Sequence, residues 1–154
     1  MFSLKKQSKG FTIVELLIVI VIIGILATLV IVTFTGIQQK ARDSQRKTDI
    51  GAVNSHVTAY YAETGTYPTL AMLNDSAWVA KHMKGLDPEA LVDPKGGALT
   101  GTSDADQYGY AAGVGNLTTA CTEAGTTPDQ TANCDTFQLT ATLEGGGTFT
   151  KSSN

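Results

Sequence analysis

Two cysteines, two histidines, four prolines and a charged fraction of 16% are little for a chain of 154 residues. Each scarcity removes a class of protein. Neither Cys121 nor Cys134 has a second Cys or His at close spacing, so a structural zinc site is not expected. The first proline is Pro68, which leaves the preceding residues free of the strongest helix breaker. Lys and Arg number 11 against 14 Asp and Glu, for a formal charge of −3. That balance argues against a general grip on nucleic acid, which needs clustered cations to neutralise phosphates. Lys40, Arg42, Arg46 and Lys47 form the local basic cluster, and Asp43 and Asp49 lie among them. Catalytic patterns are missing too. No Gly-x-Ser-x-Gly elbow or phosphate loop occurs, and His56 and His82 stand at no ligand spacing, so no enzyme, cofactor or metal is expected.

What the chain has instead is a long apolar run. From Phe11 to Ile37 the single charge is Glu15. At about 1.5 Å per residue a helix of that length crosses a bilayer. The run is too long for the apolar region of a secretory signal peptide, although Lys5, Lys6 and Lys9 precede it. A carboxylate retained inside a membrane helix needs a partner. A new α-amine at Phe11 would supply one, if the chain were cut after Gly10.

The string Lys9-Gly10-Phe11-Thr12, then Glu15 and an aliphatic run, resembles the class III signal of type IV prepilins and of type II secretion pseudopilins. The resemblance implies cleavage after Gly10 by a membrane-embedded prepilin peptidase, N-methylation of Phe11, and a role for Glu15 in assembly. It also implies leader inside and C-terminus outside: a single-pass protein of the cytoplasmic membrane, surrounded by lipid until it joins a cell-surface filament. Its partners would be other copies of itself or related pilins, together with an inner-membrane assembly platform. Removal of the leader takes away three lysines and no acids, moving the formal charge from −3 to −6. Outside the cytoplasm a Cys121–Cys134 disulfide can persist, stabilising the fold by roughly 3 kcal/mol through loop closure. The chain has no proline in its membrane half, so a family proline kink does not carry over.

The expected fold is α+β and pilin-like, a long N-terminal helix packed on a small antiparallel sheet. Its parts are a leader over 1–10, a transmembrane and filament-core helix over 11–37, and an extracytoplasmic globular domain over 38–154. The helix should run from about Thr12 to Ala62, with Ile50, Val53, Val57 and Tyr60 as its apolar stripe and Gln39, Lys40, Asp43, Arg46 and Lys47 on other faces. Gly24 and Gly36 are weak points that permit either bending or close packing. Tyr60 to Pro68 resembles the helix exit of pilins, with Gly65 as the cap. Short helices are expected at Leu70 to Leu73 and at Ala77 to Lys84, the second capped by Ser76. Trp78 is expected in the core.

Gln107 to Ala112 and Thr136 to Glu144 read as strands, the latter alternating Phe137, Leu139, Ala141 and Leu143 with polar residues. Thr148 to Lys151 should form an edge strand, and Cys121 to Cys134 a stapled loop. Asp104, Asp106, Asp129 and Asp135 match no defined calcium loop and read as solvated acids. Asn74 and Asn116 each begin a glycosylation sequon.

The resulting function is a structural subunit of a type IV pilus-like filament. One alternative is a pseudopilin of a type II secretion or competence machine for DNA uptake. Another is a membrane-anchored binding domain that never polymerises.

Overall fold

The structure is a computed structural model that describes residues 10–125 and 131–153. The leader residues before Gly10, and Asp129, lie outside the described residues. The chain divides into two compact units, one ending at Gln38 and one beginning at Gln39. Helix α1, Ile13–Thr64, contributes to both.

In the first unit α1 is apolar on every side, and its large side chains from Ile13 to Ile37 are all exposed. By length and composition this helix can cross a membrane. Its threonines turn their hydroxyls back onto the helix: Thr28 donates to Ile25 O at 2.8 Å and Thr33 to Leu29 O at 2.9 Å. These bonds leave an apolar exterior suited to lipid or to like helices.

In the second unit the 3.6-residue period puts Arg46, Ile50, Val53, Val57 and Tyr60 on the buried face of α1. A three-stranded antiparallel sheet completes that core. It consists of β1 (Gly109–Gly113), β4 (Thr136–Thr142) and β5 (Thr148–Ser152), in the order β1-β4-β5. Alternation along β4 buries Phe137, Leu139 and Ala141, while Tyr110 of β1 pairs with Leu139. The segment between helix and sheet folds as α2 (Leu70–Asn74), α3 (Ser76–His82) and a 3-10 turn at Pro88–Leu91. Trp78 is fully buried, with its ring 5.1 Å from that of Tyr60.

Four expectations need correction. Arg46 does not face water; it is 0% exposed, because position 46 is one turn below Ile50 on the same face. Asp75, not Ser76, caps α3, its carboxylate accepting from Ala77 N and Trp78 N. β4 stops at Thr142, where Asp43 captures the next turn. The disulfide segment is not a plain loop, since Glu123–Ala124 and Thr131–Ala132 pair as a short hairpin, β2 and β3.

Candidate functional site

The expected cleavage and assembly residues meet at the start of α1. Gly10 and Phe11 precede the helix, and Phe11 is 80% exposed. Among the described residues a Cβ at Gly10 would meet nothing within 4 Å. Thr12 is the first residue tied into the helix, its carbonyl accepting from Leu16 N at 3.2 Å.

Glu15 turns back onto Thr12. Its Oε2 accepts from Thr12 N at 2.9 Å and from Thr12 Oγ1 at 2.7 Å, and Glu15 N donates to Thr12 Oγ1 at 3.2 Å. This reciprocal arrangement is a capping box, which satisfies two otherwise orphaned donors at a helix start. A carboxylate there also faces the positive end of the helix dipole. The expectation that Glu15 needs a cation leaves out Thr12, although the spacing Thr12-x-x-Glu15 is itself the capping-box signal. Both bonds from Thr12 go to Oε2. Among the described residues Oε1 has no hydrogen-bond partner, so the acid keeps acceptor capacity for a group from outside.

A second polar centre holds the globular unit together. Arg46 makes five hydrogen bonds, matching its five N–H donors. They go to Asp93 Oδ2 at 2.7 Å, Asp93 Oδ1 at 2.9 Å, and Asp43 Oδ1, Glu144 Oε1 and Ala105 O at 3.1 Å each. Arg42 grips Glu144 with two bonds of 2.6 Å, and Lys95 bridges to Asp106 at 3.1 Å. The hydrogen bonds of Arg42, with its positive charge beside them, hold the Glu144 carboxyl down at about 2. Burial works to raise the Asp43 carboxyl, but the Gly145 and Glu144 N–H groups and Arg46 outweigh it and leave it lowered. Burial raises Asp49 against the bond donated by the Tyr108 hydroxyl.

These bonds join α1 to three segments distant in sequence: the Asp93 loop, the Ala105 loop and the β4–β5 turn. Sequence reasoning missed the centre because a charge cluster is usually solvated. The available signal was the position of Arg46 on the stripe.

Cys121 and Cys134 are disulfide-bonded, and Cys134 O accepts from Tyr67 N at 2.8 Å. The staple therefore closes on the helix exit. The acidic loop residues do not converge. Asp104 accepts from Asp106 N at 2.9 Å, and Asp135 from Gly115 N at 2.6 Å. Among the described residues no three His, Cys, Asp or Glu are grouped to hold a metal. Of the sequon side chains, Asn74 donates its Nδ2 to Leu99 O at 3.0 Å, while Asn116 uses its Oδ1, accepting from Thr118 N and Thr119 N, each at 2.9 Å.

The family model of the prokaryotic N-terminal methylation motif matches residues 5–31. The chain is 34% identical over 99 residues to the type II secretion system core protein G of Vibrio cholerae, covering 64% of each. It is 36% identical over 66 residues to the protein of the same name from Dickeya chrysanthemi, covering 43% of each. Against the type IV major pilin protein of Myxococcus xanthus it is 35% identical over 65 residues, which is 42% of this chain and 30% of that one. The match thus spans less than two thirds of each relative. No solved structure gives a significant match.

Proposed function

The chain matches the pilin and pseudopilin family in its N-terminal segment, and from that premise we propose that it is a structural subunit of a type IV pilus-like filament. In this reading prepilin peptidase cuts between Gly10 and Phe11, the new amine is methylated, and the mature chain waits in the cytoplasmic membrane as a single-pass protein with its C-terminal domain outside. The observation that carries the proposal is the methylation motif, together with an apolar half of α1 whose large side chains are all exposed among the described residues.

Polymerisation moves that helix from lipid into a bundle of like helices. Glu15 then acts through its open acceptor oxygen, receiving the Phe11 amine of a neighbouring subunit while Thr12 fixes its orientation. An unpaired carboxylate in such a core is penalised, so the pair selects the register. Because donor and acceptor lie on different subunits in a head-to-tail contact, the assembly does not close. Gly10 serves peptidase recognition.

A second reading keeps this chemistry in a type II secretion pseudopilin. What favours it is the Vibrio cholerae alignment, which extends over 99 residues and so beyond the apolar helix. The experiment is Glu15→Ala in the native cells. The proposal expects loss of sheared filaments at unchanged membrane level, whereas unchanged filaments would overturn the assembly role. If the wild type yields processed chain but no sheared filament, the pseudopilin reading replaces the pilus. A retained leader would leave the non-polymerising anchored domain.

A further inference from the structure

The two Asn-x-Ser/Thr strings differ in how their amide nitrogens are held. Asn74 closes α2 and Ser76 opens α3, so the first string is divided between two helices. Its Nδ2, the atom that a sugar would have to join, already donates to Leu99 O at 3.0 Å. Asn116-Leu117-Thr118 lies instead in the loop that follows β1, and all three residues are exposed.

The fold fixes which side of Asn116 faces out. The backbone N–H groups of Thr118 and Thr119 each stand 2.9 Å from one atom of its carboxamide. Such groups can only donate, so that atom is the oxygen. Both hydroxyls close on the same Oδ1, Thr118 at 2.7 Å and Thr119 at 3.1 Å. A carboxamide is planar, with oxygen and nitrogen on opposite sides of Cγ. Holding Oδ1 in the turn therefore directs Nδ2 away from it, and among the described residues Nδ2 has no hydrogen-bond partner.

The loop is anchored at its base. Val114 N donates to Thr119 O at 3.1 Å and Asp135 N to Gly113 O at 3.0 Å, while Gly115 N donates to Asp135 Oδ1 at 2.6 Å. A Cβ on Gly113 would lie 1.9 Å from Asn116 O, so the turn in this form requires glycine there. A fixed turn thus presents the acceptor nitrogen, with the Thr118 hydroxyl that completes the sequon beside it.

We propose that Asn116 is the acceptor of an N-linked glycan, and that the folded chain offers it in preference to Asn74. The co-substrate is a glycan activated as a lipid-linked diphosphate. Asn116 Nδ2 bonds to the anomeric carbon as the bond from that carbon to the phosphate oxygen breaks. The diphosphate leaves with the electron pair, and an amide proton passes to a base of the transferring enzyme. The inference goes beyond the filament reading and takes from it that the second unit lies outside the cytoplasm. A glycan on this loop adds solvated bulk to that unit without displacing a hydrogen bond of the fold.

Trypsin puts the two sequons on separate peptides, 48–81 and 96–151. The test digests the full chain from native cells and maps both peptides by mass spectrometry, with fragmentation that retains side-chain adducts. The proposal expects a sugar mass on Asn116 and an unmodified Asn74. Asn116→Gln and Thr118→Ala should each lose that mass completely, while Thr118→Ser retains it. A bare Asn116, equal modification of both asparagines, or a mass that survives Asn116→Gln overturns the proposal. The N-methylated Phe11 peptide in the same digest reports separately on the filament reading. Its presence beside a bare Asn116 sinks the glycan alone, and a retained leader beside a glycosylated Asn116 sinks the filament alone.

Discussion

Charge is handled in opposite ways by the two units. In the first, Glu15 finds its bonds three residues away in sequence, on Thr12, while the apolar side chains around it are exposed among the described residues. In the second, Arg46 reaches partners 47 and 98 residues away, and the apolar stripe of α1 is covered by the sheet. A locally satisfied acid on an uncovered helix leaves the work of burial to other molecules. A charge satisfied over long range, beside a covered stripe, finishes the fold within one chain. In the proposed reading the residues for processing and for the helix bundle lie in the first unit, while the bonds that complete the fold of a single chain lie in the second.

The sharpest way to break this contrast is Arg46→Ala, which leaves Asp93 buried without its cation. Loss of one partner from such a pair costs about 3–5 kcal/mol. The single tryptophan, Trp78, is fully buried in the same unit, so its fluorescence during denaturant unfolding of the detergent-solubilised chain reads the loss directly. Arg46→Lys keeps the charge without the planar fork and should fall between wild type and alanine. An unchanged midpoint in both variants would mean that the centre is not what closes the second unit.

Reducing the disulfide, or replacing Cys121 and Cys134 by serine, removes a link across 13 residues. The expected loss is roughly 3 kcal/mol, again in Trp78 unfolding, with earlier proteolysis between the two positions. Glu15→Ala should leave that midpoint unmoved while abolishing filaments.

A smaller effect follows pH. Glu144 has its carboxyl lowered from 4.5 to about 2, so the unfolded chain takes up its proton first. The stability contributed by this group is complete above about 4.5 and is lost as pH falls through about 2. Asp43 is lowered and acts in the same sense. Asp49 is raised and acts oppositely, losing stability as pH rises from the ordinary carboxylate range to its own value. Glu144→Gln should flatten the acid limb of the unfolding profile, and an unaltered limb would remove Glu144 from the account.

Much of this was legible from residue order. The apolar run, the Gly10-Phe11-Thr12 string, the Ile50 to Tyr60 stripe and the alternation from Phe137 to Ala141 each follow a local period or motif. The rest was not, for two reasons. Arg46 carries a charge on an apolar stripe, and only the acids arriving from Asp93, Asp43 and Glu144 make its burial tolerable. Two-residue strands such as Glu123–Ala124 are too short to show alternation and exist through their pairing. Thr12 is a different case, because its spacing to Glu15 was visible and its bond is entirely local.

The central claim is that the first unit is processed for assembly. The direct measurement is mass spectrometry of material sheared from native cells, searched for a peptide that begins at N-methylated Phe11. The account predicts that peptide in the sheared filaments. Chains that retain Met1 to Gly10 in every fraction would contradict it.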